Sequence, residues 1–179
     1  MKKWILLTLA FFGCRKADEN GFKTYIIKKN RHRSGIQVKR DFKDKIEFEV
    51  IFDESAIYTS KDSINQLDLN KLYGVSDCGE HHLTSSIRIG WRWVNDSLEL
   101  HWFKHENDQF SFDKIKTIEL NQSISCCIEL TEDKYIISVD GVTKETSRSC
   151  SQTYKRYYLY PYFGGDETAP HDITIKLKD

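Results

Sequence analysis

Arginine and histidine recur at alternate positions in one stretch of this sequence, and alternation along an extended chain puts like residues on one face. Arg88, Gly90 and Arg92 precede Asn95-Asp96, and Glu99, His101, Phe103 and His105 follow it. A chain folded back at Asn95-Asp96 brings Arg88, Arg92, His101 and His105 to one sheet face, with a glycine notch between the arginines. A guanidinium presents a fork of donors that matches a carboxylate, so this face is a candidate receptor for an acidic sugar. It also admits a lyase, in which arginine neutralises a uronate and a histidine or tyrosine removes the adjacent proton. The simpler use is a solvated outer face with Arg92 and Glu99 as an ordinary cross-strand pair.

A second alternation places Tyr158, Tyr160 and Tyr162 between Leu159, Pro161 and Phe163. This predicts a ladder of phenols on one face. Aromatic rings stack on sugar faces, although core or interface packing is the commoner use of strand tyrosines. Pro161 marks an edge or bulge, and Gly164-Gly165 a turn.

Two groups have metal-ligating atoms. Cys78, Glu80, His81 and His82 cluster in one loop, but consecutive histidines on an extended chain diverge. Asp166, Glu167 and Asp172 are hard oxygen ligands beside a glycine pair, yet their spacing does not match an EF-hand, and capping of turns accounts for them. No metal and no cofactor is assigned. Nucleotide-binding and metalloprotease motifs and the serine-hydrolase elbow are absent. The 27 basic residues balance the 27 acidic ones, which argues against a nucleic-acid partner.

The start of the chain has its own chemistry. Lys2 and Lys3 precede an apolar run from Trp4 to Phe12, which ends at Gly13-Cys14. Nine helical residues rise only about 14 Å against the roughly 30 Å of a bilayer core, so the run is an export signal and not a span. Phe11-Phe12-Gly13-Cys14 resembles the lipobox of bacterial lipoproteins, departing from it at Phe11, where leucine is usual. The relaxed box resembles those of Bacteroidota, and Arg15-Lys16-Ala17-Asp18-Glu19 resembles the tag that sends such proteins to the cell surface. The resemblance implies cleavage before Cys14, lipid on its thiol, and an outer-membrane, surface-facing location. Residues 1–13 are then signal, 14–21 a lipidated tether and 22–179 one domain; loss of Lys2 and Lys3 leaves a formal charge of −2. Cys78, Cys126, Cys127 and Cys150 remain. Three full pairings are open, as is the state with four thiols, but adjacent Cys126 and Cys127 point to opposite faces of a strand.

The elements that must position these residues are strands. In Lys45 to Asp53, Ile46, Phe48, Val50 and Phe52 alternate with mostly polar neighbours. A two-residue turn at Asn95-Asp96 sets Trp93 opposite Leu98, Trp91 opposite Leu100, Ile89 opposite Trp102 and Arg92 opposite Glu99. A loop at Glu132-Asp133 sets Leu130 opposite Tyr135 and Ile128 opposite Ile137, and Asp140-Gly141 turns Val139 back onto Val142. Further strands are predicted over 22–29, 36–42, 114–120, 154–163 and 172–178. Roughly ten strands in one domain bury their apolar faces as a two-layer antiparallel sandwich. Their number and length, with the stretch from Tyr135 to Gly141, resemble the jelly roll of concanavalin A-like lectins and glucanases. The stretches Gly74 to Arg92 and Tyr158 to Ile175 resemble a family of Bacteroidota envelope proteins, which implies a fold and a location but no catalytic residues. The function read from the sequence is a membrane-anchored envelope lipoprotein that binds polysaccharide. A polysaccharide lyase or glycosidase on the same fold is one alternative, and an interaction subunit without a cleft is another.

Overall fold

The period-two pattern of Lys45–Phe52 becomes a strand in which Ile46, Phe48, Val50 and Phe52 are buried while Lys45 and Glu47 face solvent. The computed structural model describes residues 15–179, so the expected signal segment and Cys14 lie outside the described residues. Twelve strands form among the described residues: β1 (Lys23–Ile27), β2 (Arg40–Asp41), β3 (Lys45–Phe52), β4 (Asn70–Ser76), β5 (Ser85–Val94), β6 (Ser97–Glu106), β7 (Gln109–Ile118), β8 (Ile124–Leu130), β9 (Lys134–Val139), β10 (Val142–Ser147), β11 (Arg156–Leu159) and β12 (Ile173–Lys178). They make two six-stranded antiparallel sheets, ordered β1-β12-β3-β8-β9-β10 and β2-β11-β4-β5-β6-β7. The facing sides share one apolar core, in which the Phe52 and Trp91 rings meet at 5.2 Å and those of Phe48 and Tyr73 at 5.0 Å. This is the antiparallel jelly-roll sandwich that the strand pattern predicts.

Local turns build half of each sheet. Asn95 and Asp96 adopt φ of 49° and 53°, the left-handed pair whose twist suits a two-residue hairpin. The resulting register sets Trp93 against Leu98, Trp91 against Leu100, Ile89 against Trp102 and Arg92 against Glu99. Likewise Leu130 opposes Tyr135, Ile128 opposes Ile137, and Val139 opposes Val142. A fourth hairpin, at Asn107-Asp108, joins β6 to β7, so that strand begins at Gln109 and not at Lys114. Thus β5-β6-β7 and β8-β9-β10 are meanders, whereas β1-β12-β3 and β2-β11-β4 join strands distant in sequence.

The expected strand over 36–42 pairs only at Arg40–Asp41. The residues before β2 run beside it with Gln37 bonded to the Tyr25 hydroxyl and Lys39 to Asp179, while Ile36, Val38 and Phe42 are exposed. Cys78 and Cys150 form a disulfide with Cα atoms 5.7 Å apart. Cys126 is free and buried, and Cys127, on the opposite face, is free and half-buried.

Candidate functional site

Alternation along β5 sends Ile87, Ile89 and Trp91 into the core and Arg88 to the outer face of its sheet. Gly74 lies opposite Arg88 on β4, and a side-chain carbon there would sit 2.6 Å from the Arg88 Cα and 2.8 Å from its Cγ. Only glycine lets the arginine lie flat across β4. The guanidinium, 5.4 Å from the Phe103 ring centroid, is 7% exposed in residue terms and has no carboxylate partner; its Nε has no hydrogen-bond partner among the described residues. Its Nη2 lies 3.3 Å from His105 Nδ1. Because a guanidinium only donates, His105 Nδ1 accepts and the ring proton sits on Nε2. Burial lowers the Arg88 pKa to about 10.

Lys71 reaches the same face through an irregularity in β4. The register against β5 shifts between Lys71 and Tyr73, so Leu72 and Tyr73 are both buried in the core and Lys71 turns outward. Its Nζ lies 4.9 Å from the Phe103 ring centroid and donates to the Gly164 carbonyl at 3.0 Å. Burial first, and then the Arg88 charge, bring its pKa down to about 8. Two cations thus share a partly dry face; among the described residues neither is in an ion pair, and the Asp68 charge offsets only part of the Lys71 shift.

Around them a cleft of about 740 Å³ is lined by Arg33, His82, His105, Tyr162 and the aromatic wall of Phe103, Phe110 and Phe112, with Asp68 and Asp166 also on its lining. The three Phe rings are nearly parallel, with centroids 5.7 Å apart for Phe103–Phe110 and 6.3 Å for Phe110–Phe112. Phe110 and Phe112 remain exposed, a surface suited to stacking. The Tyr157 hydroxyl oxygen accepts the His82 backbone N–H at 2.7 Å and lies 3.0 Å from His82 Nδ1. The arrangement that satisfies both side chains has the phenol donating to Nδ1, leaving a proton on Nε2. Burial, with Arg88 as the next cause, lowers both His82 and His105 to about 4. Both imidazoles are neutral at ordinary pH. A shallower shoulder of about 290 Å³ shares Arg33, His82, Arg88 and Tyr162 with the cleft and continues along β11.

The residues singled out from the sequence divide into three groups. Arg88, His105 and Tyr162 converge on the cleft. Arg92 and His101 share the outer face but are committed to Glu99, with Arg92 Nε 2.9 Å and His101 Nε2 3.1 Å from Glu99 Oε2 and Lys114 Nζ 2.6 Å from Oε1. Burial alone would raise Glu99, but the hydrogen bonds from Lys114, Arg92 and His101 prevail and hold it at about 2. That cluster is a cross-strand network centred on one carboxylate. Tyr158 and Tyr160 turn inward: Tyr158 is buried with its hydroxyl on Asp41 at 2.8 Å, and the Tyr160 ring stacks 5.7 Å from Tyr25. Tyr162 leaves the ladder because its backbone pairs with Lys71, beyond the β4 bulge, and follows Lys71 outward.

The sequence reading left Arg33, Lys71, Phe110 and Phe112 out of the candidate site, placed Phe103 on its face without naming it as a ligand residue, and considered His82 only as a metal ligand. Asn107-Asp108 is the same signal as Asn95-Asp96 and would have located Phe110 and Phe112. Nothing local marks the bulge that exposes Lys71. The four-residue metal set does not assemble as thiolate and imidazole ligands, because the Cys78 sulfur is in the disulfide and His82 Nδ1 is engaged by Tyr157. The Glu167 carboxylate accepts from Lys61 N, Asp62 N and Asn65 Nδ2, and Asp172 from Lys29 N and Lys28 Nζ. Those oxygens tie loops together.

No family model and no curated protein matches the sequence. Solved structures do resemble it. Alginate lyase AlyC3 superposes with a TM-score of 0.63 at 13% identity, over 91% of this chain and 75% of that one. SCLam, a non-specific endo-β-1,3(4)-glucanase of family GH16, gives 0.56 at 11% identity, over 89% and 70%. The PL7 alginate lyase AlyA1 from Zobellia galactanivorans gives 0.52 at 7% identity, over 92% and 80%. At such identities the likeness shows the fold, a concanavalin-like β-sandwich, and the site must be argued from this chain's own residues.

Proposed function

We propose that the cleft over β4–β7 binds a carboxylated polysaccharide, and that the chain presents it at the bacterial envelope from a lipid on Cys14. One observation carries the reading: buried Arg88 and half-buried Lys71 lie side by side over the Phe103 ring, and among the described residues neither is in an ion pair. A uronate carboxylate would supply the missing counter-charge. The Nε2–H groups of His82 and His105 add neutral donors for sugar oxygens, and Phe110 and Phe112 offer a platform for a ring face. The solved structures that resemble the fold include lyases of alginate and a glucanase, which accords with a glycan ligand. An interaction subunit without a cleft predicts a flat outer face, and this face is hollowed.

A second reading, β-elimination, is favoured by Lys71, whose lowered pKa makes its neutral amine an accessible base. Arg88 would neutralise the uronate carboxylate while Lys71 takes the proton from the adjacent carbon. Those electrons form a carbon–carbon double bond as the glycosidic C–O bond on the next carbon breaks. The departing oxygen takes a proton from the Tyr162 hydroxyl or from water.

Incubation with a panel of neutral and uronate polysaccharides separates the readings. Retention on uronate polymers without new ultraviolet absorbance supports binding, and absorbance from unsaturated ends supports elimination. Equal affinity for neutral glucans would overturn both.

A further inference from the structure

The edge of the sandwich formed by β1, β2 and the segment before β2 carries a row of exposed apolar side chains next to the start of the described chain. Ile36, Val38 and Phe42 are 76%, 74% and 60% exposed. They alternate with Gln37, Lys39 and Asp41, which turn inward to Tyr25, Asp179 and the Tyr158 hydroxyl. The outward row is therefore held in place by the inward one. Residues 28–43 contain seven Lys or Arg and one acidic residue, in a chain whose formal charge is zero. Lys28 and Lys39 are paired with Asp172 and Asp179, whereas Arg40 and Lys43 are exposed beside the apolar row.

Arg15 is seated on this same edge. Its guanidinium donates to the Ser34 carbonyl and covers the Tyr25 ring at 4.5 Å from the centroid. Asp18 closes the following turn by accepting from the Asn20 and Phe22 backbone N–H groups, and Ala17 bridges to Lys23. Arg15, the first described residue, is thus held against the segment that carries Ser34.

We propose that this edge rests on an anionic lipid surface, with Ile36, Val38 and Phe42 in the headgroup boundary and Arg40 and Lys43 on lipid phosphates. The proposal rests on the lipid-anchor reading, because an anchored chain is already held at a bilayer, where a basic apolar patch gains from lying against the surface. It also fixes orientation. The shoulder of the cleft includes Gly35 and Ile36, so the glycan site would open beside the bilayer and not at the far end of a free tether.

The test uses the chain extracted from membranes and returned to vesicles of phosphatidylcholine with or without phosphatidylglycerol. Intact mass reads the anchor, and hydrogen exchange reads the surface. The expected result is an acyl-modified Cys14, slowed exchange across residues 34–43 on vesicles containing phosphatidylglycerol, and loss of that protection in Val38→Ser/Phe42→Ser with polysaccharide retention unchanged. A mass without acyl chains would overturn the anchor reading and the docking with it. An acylated chain whose residues 34–43 exchange as fast on vesicles as in detergent would overturn the docking alone. So would protection produced by polysaccharide, or by self-association of the chain in solution, in place of vesicles.

Discussion

Two buried arginine settings, one tying the two sheets together and one on the outer face of the β5 sheet, are opposites. At one, Asp77 receives Arg148 Nε at 2.7 Å, Arg156 Nε at 3.0 Å and the Tyr135 hydroxyl at 2.8 Å, all inside the protein. Burial alone would raise the Asp77 carboxyl, but the bonds from Arg148, the Cys78 N–H and Tyr135 prevail and hold it below the usual carboxylate range. At the other, Arg88 and Lys71 share a face with neutral imidazoles, and among the described residues neither is in an ion pair, the nearest carboxylates being Asp68 and Asp166 on the cleft lining. A buried charge that is paired serves the fold, whereas one left unpaired is a standing cost that a ligand can relieve.

Removing a charge should therefore act in opposite directions at the two places. Asp77→Asn takes from Arg148 its carboxylate and leaves Arg156 only Asp44, and is expected to cost about 3–5 kcal/mol in urea unfolding. Arg88→Met should raise stability by on the order of 1 kcal/mol, because it replaces an unpaired charge with apolar surface. Equal destabilisation by both would erase the distinction. The Asp77 contribution has a defined pH window: since its folded pKa is lowered, the stabilisation is complete above the unfolded carboxyl's pKa and disappears as pH falls through the folded value.

For uronate polymers the ranking reverses. Arg88→Met should weaken binding by about 10- to 100-fold in titration calorimetry, with Arg88→Lys a poor substitute because it lacks the planar fork. The Lys71 amine sharpens the choice between binder and lyase. A binder needs the ammonium, so affinity should fall as pH rises through about 8 and become flat in Lys71→Met. A lyase needs the free amine, so turnover should rise over the same interval. The smallest effect is expected at the aromatic wall, where Phe110→Ala should cost about 2- to 10-fold in affinity with little change in stability.

The legible parts of the molecule are those built by neighbours in sequence. The registers of the Asn95-Asp96, Glu132-Asp133 and Asp140-Gly141 hairpins followed from turn chemistry and alternation, and with them the placement of Arg88, Arg92, His101 and His105 on one outer face. Two things escaped. Which of those side chains stay free depends on Lys114, whose contact with Glu99 requires β7 to be correctly paired. The tyrosine ladder depends on a bulge in another strand: β11 follows β4, and no pattern within residues 154–163 announces that Leu72 is an extra residue in β4. Local periodicity reports the face of a residue only as far as the partner strand keeps step.

The disulfide bears on the order in which the chain must organise. Cys78 and Cys150 are 72 residues apart, and β5 to β10 lie between them. That interval contains both meanders, one from each sheet, and none of the long-range strand pairs. Once oxidised, the chain has a covalent ring of self-completing hairpins whose ends are already adjacent, and both flanking segments leave from a common point. Assembly of the remaining halves then amounts to threading two free arms along the open edges of a preformed middle.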